Sequence, residues 1–313
     1  MGNTKKDIFP SKQEIKMENQ VWARFFKEGF FGYGEKGDFK YWSLAHFIPL
    51  ILLGVGIYLI FRYREKLRNW KYEENFRFAL AVIMIICEMT YYWRLMYVGP
   101  GNPNEHNMLD KFQLQVCGWT CILAAFMMFK KSRFIYPICF YVCLTLGLFP
   151  LLTPAVISTT GPAYYRYYQY WIEHILPPLS VFYMTFVHGF RPKMKGIIKA
   201  TCFMGVLVTL AMVMNFNIPS LVADTEPGYS PNYLYLAVGT LEGGGSVMDV
   251  LVKIAPNVWG RLALLVVLVE AIFFAAYFVH KGIVKLYTHI TSKNHPLPPT
   301  NSDSSAELEE ANA

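Results

Sequence analysis

The sequence predicts an all-α polytopic membrane protein: a bundle of about seven transmembrane helices, N-terminus outside and C-terminus inside. Three observations carry this. The 313 residues are 54% hydrophobic and only 16% charged, where a soluble domain is nearer a quarter charged. The apolar residues gather into seven runs of about 18–22 residues each, the length that crosses a bilayer core. The lysines and arginines crowd into alternate connections, the bias that sets topology.

Residues 1–41 read as a polar tail. Within it, VWARFFKEGFF (21–31) sets Val21, Trp22, Phe25, Phe26 and Phe30 along one helical face, the pattern of an interfacial helix. The first apolar run begins near residue 43, behind that tail, and is long enough to span, which argues against a signal peptide. The expected spans are 43–62, 78–97, 112–129, 134–152, 167–188, 196–215 and 260–280, inside a transmembrane domain of residues 42–284.

The connection after the first span holds six basic residues (Arg62, Arg64, Lys66, Arg68, Lys71, Arg77), that after the third holds three (Lys130, Lys131, Arg133), and that after the fifth four (Arg191, Lys193, Lys195, Lys199). The other connections hold about one each (Lys111, Arg166, Lys253). The tail, with eight basic and six acidic residues, pulls against this alternation. The short loops outweigh it, because the bias is read close to the spans. The outer connection, 217–259, is apolar for a loop and carries Gly243–Gly245. Non-helical backbone near the membrane must be covered by protein or line a wet cavity, so this segment is expected to form a lid or entrance. It has no GxxxxGK phosphate loop. Residues 285–313, rich in Pro, Ser and Glu, read as a disordered cytoplasmic tail.

The net charge of +7 reflects the inner-face bias and gives no reason to expect nucleic acid. All six cysteines fall in expected spans, so neither a disulfide framework nor a loop-borne zinc site is indicated. No metal or cofactor is expected. The expected location is the cell membrane.

The informative residues are polar ones inside the spans, because ionisable side chains are rare there unless they face a protein interior. Cys117 lies six residues past Lys111 and His174 eight past Arg166, at expected depths of about 9 and 12 Å from the outer face. His46, Gln113, Gln115 and Arg94 lie in the same half, and Glu88 and Glu270 near mid-membrane. Arg166 and Gln169 flank His174 on its own segment. A pocket open toward the outer leaflet would gather them.

A thiol is a strong nucleophile once ionised, and a neighbouring imidazole can take its proton. Such a pair can accept an acyl group as a thioester and pass it to a hydroxyl. Arg94, Gln113 or Gln115 are candidate oxyanion donors, and Glu88 a candidate to orient the imidazole. With water as acceptor the same pair would be a lipid or ester hydrolase. A transporter or receptor using Glu88, Arg94 and Glu270 is the non-enzymatic alternative, although no internal repeat supports it. A haem site on His46 and His174 would lack the paired, evenly spaced histidines of multi-haem helices.

FQLQVC (112–117), PLLTP (150–154), YYRYYQYWIEH (164–174), FVHGFRPK (186–193), NYLYL (232–236) and GGSVMDVL (244–251) together resemble the YwaF-like bacterial membrane proteins, grouped with the animal transmembrane protein 164 acyltransferases. The resemblance spans about residues 40 to 280. It implies a seven-helix fold. From the animal branch it implies acyl transfer to lysophospholipid through one Cys and one His, which match Cys117 and His174, with membrane phospholipid as the partner. Gln113 and Gln115 stand where bacterial members more often carry Pro and His.

Overall fold

The computed structural model describes residues 30–31, 39–98, 114–154, 161–221, 233–235 and 253–291, without the side chains of 93–98, 235 and 287–291. Among these the regular structure is helical. In chain order the helices are α1 (Leu44–Arg62), the short α2 (Arg64–Arg68), α3 (Glu73–Val98), α4 (Val116–Lys130), α5 (Ile135–Leu144), the short α6 (Phe149–Leu152), α7 (Tyr165–Phe186), α8 (Lys195–Leu221) and α9 (Val258–Thr291). Single 3-10 turns lie at Leu146–Leu148 and Tyr233–Tyr235. The tail helix expected over 21–31 falls outside the described residues apart from Phe30 and Phe31, as does the C-terminal tail beyond residue 291.

Each expected span coincides with a helix or a bent pair, yet only four described helices are long and apolar enough to cross a membrane: α1, α3, α8 and α9. A fifth crossing follows if α5 and α6, bent by 42°, count as one. The bend falls at Thr145, whose angles depart from the helical values (φ −113°, ψ −76°) and whose hydroxyl donates to the Tyr141 carbonyl. The chain leaves α5 at Leu144 and re-enters helix only at Phe149. The two remaining expected spans are α4, which starts at Val116 and has only 15 residues, and α7, whose face carries Arg166, Gln169, Glu173 and His174.

Those two are the interior of the bundle. α7 packs on α1, α3, α4 and α5, and α4 packs on α3, α5 and α7. The main core joins Ala81 and Met84 of α3, Cys121 to Met128 of α4, Tyr136 to Cys143 of α5 and Val181 to Met184 of α7. By contrast, only 6% of the apolar window of α9 is buried. Polar residues sit on helices that other protein covers, and apolar residues face outward, as the bilayer requires.

α7 is closed by a glycine turn. Gly189 takes φ 71°, a left-handed conformation that costs glycine nothing, and the Phe190 N–H reaches back to the Met184 carbonyl at 3.0 Å. This turn aims His188 at Glu73. At that end of the bundle Glu73 accepts from Arg77 (2.7 Å), His188 Nε2 (2.8 Å) and Tyr183 (3.0 Å), and Lys131 lies 3.6 Å away. Arg77 also donates to the Met128 carbonyl. The network closes the ends of α3, α4 and α7 together.

Candidate functional site

Met84 fixes the register of the central helices. Its carbonyl accepts the Cys121 thiol at 3.5 Å and its sulfur accepts the Ser180 hydroxyl at 3.8 Å. From that shared rung, Cys117 lies one turn along α4, about 6 Å, and His174 six residues along α7, about 9 Å, in the same direction. The two levels agree to within one helical turn. Cys117 is half-buried and His174 buried.

Because α4 starts at Val116, Cys117 occupies its second position rather than a mid-span one. The first-turn N–H groups of a helix have no partner within the helix and favour negative charge beside them. Gln115 is the N-cap residue, in extended geometry, and its side chain makes no capping bond. Thr120 donates to the Cys117 carbonyl at 2.7 Å and braces the same turn.

His174 Nδ1 lies 2.7 Å from the Tyr170 carbonyl. A carbonyl only accepts, so Nδ1 carries the proton and Nε2 keeps its lone pair. The Tyr170 ring lies over the imidazole with centroids 4.2 Å apart. The imidazole is therefore oriented from within α7, by its own preceding turn.

Glu173 carries more of the site than its sequence position suggested. Arg166, Gln169 and Glu173 lie on one face at i, i+3 and i+7. Arg166 donates to Gln169, Gln169 donates to Glu173 at 2.8 Å, and the Arg166 guanidinium is 3.4 Å from Glu173. Arg166 also stacks on Tyr91 and Tyr170. The ladder reaches α3 through Cys87, whose thiol donates to the Gln169 carbonyl at 3.4 Å. The i, i+3, i+7 spacing was visible in the sequence; the pairing was not.

The other candidates distribute as follows. Glu88 is buried on α3, within electrostatic reach of Cys117. His46 is fully buried, but both ring nitrogens are taken: Nδ1 accepts from the Trp42 N–H at 3.2 Å, and Nε2 donates to the Leu151 carbonyl at 2.9 Å. It pins α1 to α6. Glu270 accepts from Thr201 of α8 at 2.5 Å, two residues from Phe203, whose ring meets Trp119 of α4. Gln113 and the side chain of Arg94 lie outside the described residues.

Of the expected lid, residues 222–232 and 236–252 lie outside the described residues. Tyr233 is held. Asn215 of α8 donates to its carbonyl at 3.0 Å and accepts from its N–H at 2.9 Å. Tyr233 packs with Leu114, three residues before Cys117. Asn215, a polar residue in an apolar helix, is a site-end residue that the sequence reading passed over.

Among the described residues no group of three or more His, Cys, Asp or Glu side chains is placed to hold a metal ion. A family model described as the TMEM164 family matches residues 41–281. No curated protein and no solved structure matches the chain.

Proposed function

The chain belongs to the TMEM164 family, and from that premise we propose that it is a membrane-embedded acyltransferase that moves a fatty acyl chain between glycerolipids. The observation that carries the proposal is the state of His174. Its Nδ1 proton is committed to the Tyr170 carbonyl, which leaves Nε2 as the base at the level of Cys117.

In the first half-reaction, Nε2 takes the Cys117 proton and the sulfur attacks the ester carbonyl of the donor lipid. The oxyanion is met by the N–H groups of Cys117 and Gly118 in the first turn of α4. The C–O bond breaks, the imidazolium returns its proton to the departing lysolipid alkoxide, and a thioester remains on Cys117. In the second half, Nε2 takes the proton of an acceptor hydroxyl. That oxygen attacks the thioester, and the thiolate leaves and is reprotonated by the imidazolium. Arg166 and Glu173 hold each other's charge beside the sulfur, so neither is left unpaired in a dry environment.

The test is transfer of an isotope-labelled acyl chain from phospholipid to lysophospholipid by the purified protein in lipid nanodiscs. Acylated lysolipid that depends on both Cys117 and His174 is the expected product. Labelled free fatty acid alone would make the protein a hydrolase, and full transfer by Cys117→Ala would remove the mechanism.

A further inference from the structure

A second feature lies on the opposite side of α7. A cavity of about 560 Å³ runs between α1, the α2 segment, α3 and α7, within the size range of small-ligand sites. Its walls are Leu59, Ile60, Leu80, Leu176 and Leu179, with Tyr63, Trp70 and Lys66 toward one end. Gly56 forms its closest wall. A Cβ there would stand 2.9 Å from Leu179, so the glycine lets α1 approach α7 while the flanking residues splay apart. At 100° per residue, Leu176 and Tyr183 point to the side of α7 away from His174. The cavity is therefore separate from the Cys117 site, with α7 as the partition.

The chemistry of the mouth is asymmetric. The body is apolar, and Leu59, Tyr63 and Trp70 are exposed at its edge, which opens it sideways. Lys66 is the cation on its lining, exposed, with its ammonium 5.7 Å from the Tyr63 ring. Arg62, Arg64, Arg68 and Lys71 surround it in sequence. Arg64 and Arg68 are drawn onto backbone carbonyls of Phe61 and Val187, Arg62 and Lys71 lie over the Tyr63 and Tyr72 rings, and of the five Lys66 is the one that lines the groove. Aromatic rings and a lysine at the rim of a greasy slot match an amphiphile with an acyl chain and an anionic head.

We propose that this groove holds one anionic phospholipid, with an acyl chain between α1, α3 and α7 and its phosphate at Lys66, as a bound lipid distinct from any substrate at Cys117. The proposal stands whether or not Cys117 is a nucleophile.

The test is native mass spectrometry of the full chain extracted from nanodiscs containing equal phosphatidylglycerol and phosphatidylcholine. Wild type is expected to keep one phosphatidylglycerol per chain. Lys66→Glu is expected to lower that retention about tenfold, from two units of charge change at a lipid surface. Leu59→Trp, at a half-exposed position that tolerates a larger ring, is expected to empty the groove of either lipid. Circular dichroism of both variants shows that they keep the wild-type fold. Equal retention of the two lipids by wild type, or unchanged retention in both variants, would overturn the proposal. So would loss of the lipid in Cys117→Ala with retention in Leu59→Trp, because the lipid would then sit on the other side of α7.

Discussion

The Nδ1 of His174 hydrogen-bonds the backbone carbonyl of Tyr170 at 2.7 Å, one turn earlier in the same helix. The tautomer of the candidate base is thus set by main chain, not by a side chain that a substitution could remove. Tyr170→Phe should keep the bond and most of the acyl transfer. His174→Ala should lower transfer about 10²–10⁴-fold, the range for loss of a general base. The nanodisc transfer assay reads both, and equal losses in the two variants would implicate the Tyr170 hydroxyl, which donates to the Pro150 carbonyl at 2.7 Å, rather than the tautomer.

Arg166 and Glu173 are both buried and 3.4 Å apart. Removing one partner of such a pair strands a buried charge, at a cost of about 3–5 kcal/mol, whereas removing both is far milder. Glu173→Leu is therefore expected to be less stable than the double variant Arg166→Leu/Glu173→Leu. Thermal unfolding in detergent measures this. A double variant that loses the sum of the single losses would contradict the pairing.

His46 reads differently in structure than in sequence. With both ring nitrogens bonded to main chain, His46→Ala should cost stability, about 1–3 kcal/mol for each buried group left unpaired. The specific activity of the folded fraction should be unchanged. A loss of activity at unchanged thermal midpoint would place His46 in the chemistry instead.

His188, two residues past the end of α7, gives a pH dependence. Burial lowers its pKa below 6.5, opposed in part by the Glu73 carboxylate it donates to. Lys131 and Arg77, nearby, disfavour its charge as well. A group with a lowered folded pKa binds protons more readily when unfolded, so its contribution is full above pH 6.5 and is lost as pH falls through the folded value. The thermal midpoint should drop by roughly 2–4 °C per kcal/mol lost between pH 7.5 and 5.5. His188→Asn should flatten that slope. An unchanged slope in the variant would assign it to other groups.

Asn215 clasps Tyr233 from both sides of its peptide group. Asn215→Leu removes both bonds. If the 233–235 turn covers the Cys117 end, water should reach the thioester more readily. The ratio of free fatty acid to acylated lysolipid should then rise in the transfer assay. An unchanged ratio would leave the turn with a packing role only.

Helix positions were legible because apolar runs of bilayer length are hard to mistake. Each expected span has a helix within a few residues of it. What hydropathy could not give was which helices are interior. α4 and α7 were read as spans like the others, but α7 is too polar and α4 too short to meet the membrane alone, and both owe their place to neighbours. The apolar window also began α4 four residues early, and so hid that Cys117 opens the helix. Position along a helix yields depth but not azimuth. That is why His46 and Glu270 were grouped with Cys117 although one binds main chain and the other binds Thr201. Glu173 was hidden for the reverse reason: adjacent helical residues diverge by about 100°, so it turns from His174 toward Arg166 and Gln169.

The central claim is that Cys117 carries the acyl group. Mass spectrometry of the Cys117 peptide, after incubation of the nanodisc protein with labelled phospholipid and no acceptor, tests it directly. The account predicts a hydroxylamine-labile adduct of one acyl chain on Cys117, discharged when lysophospholipid is added and not formed in His174→Ala. An unmodified Cys117 in protein that still transfers the label would contradict it.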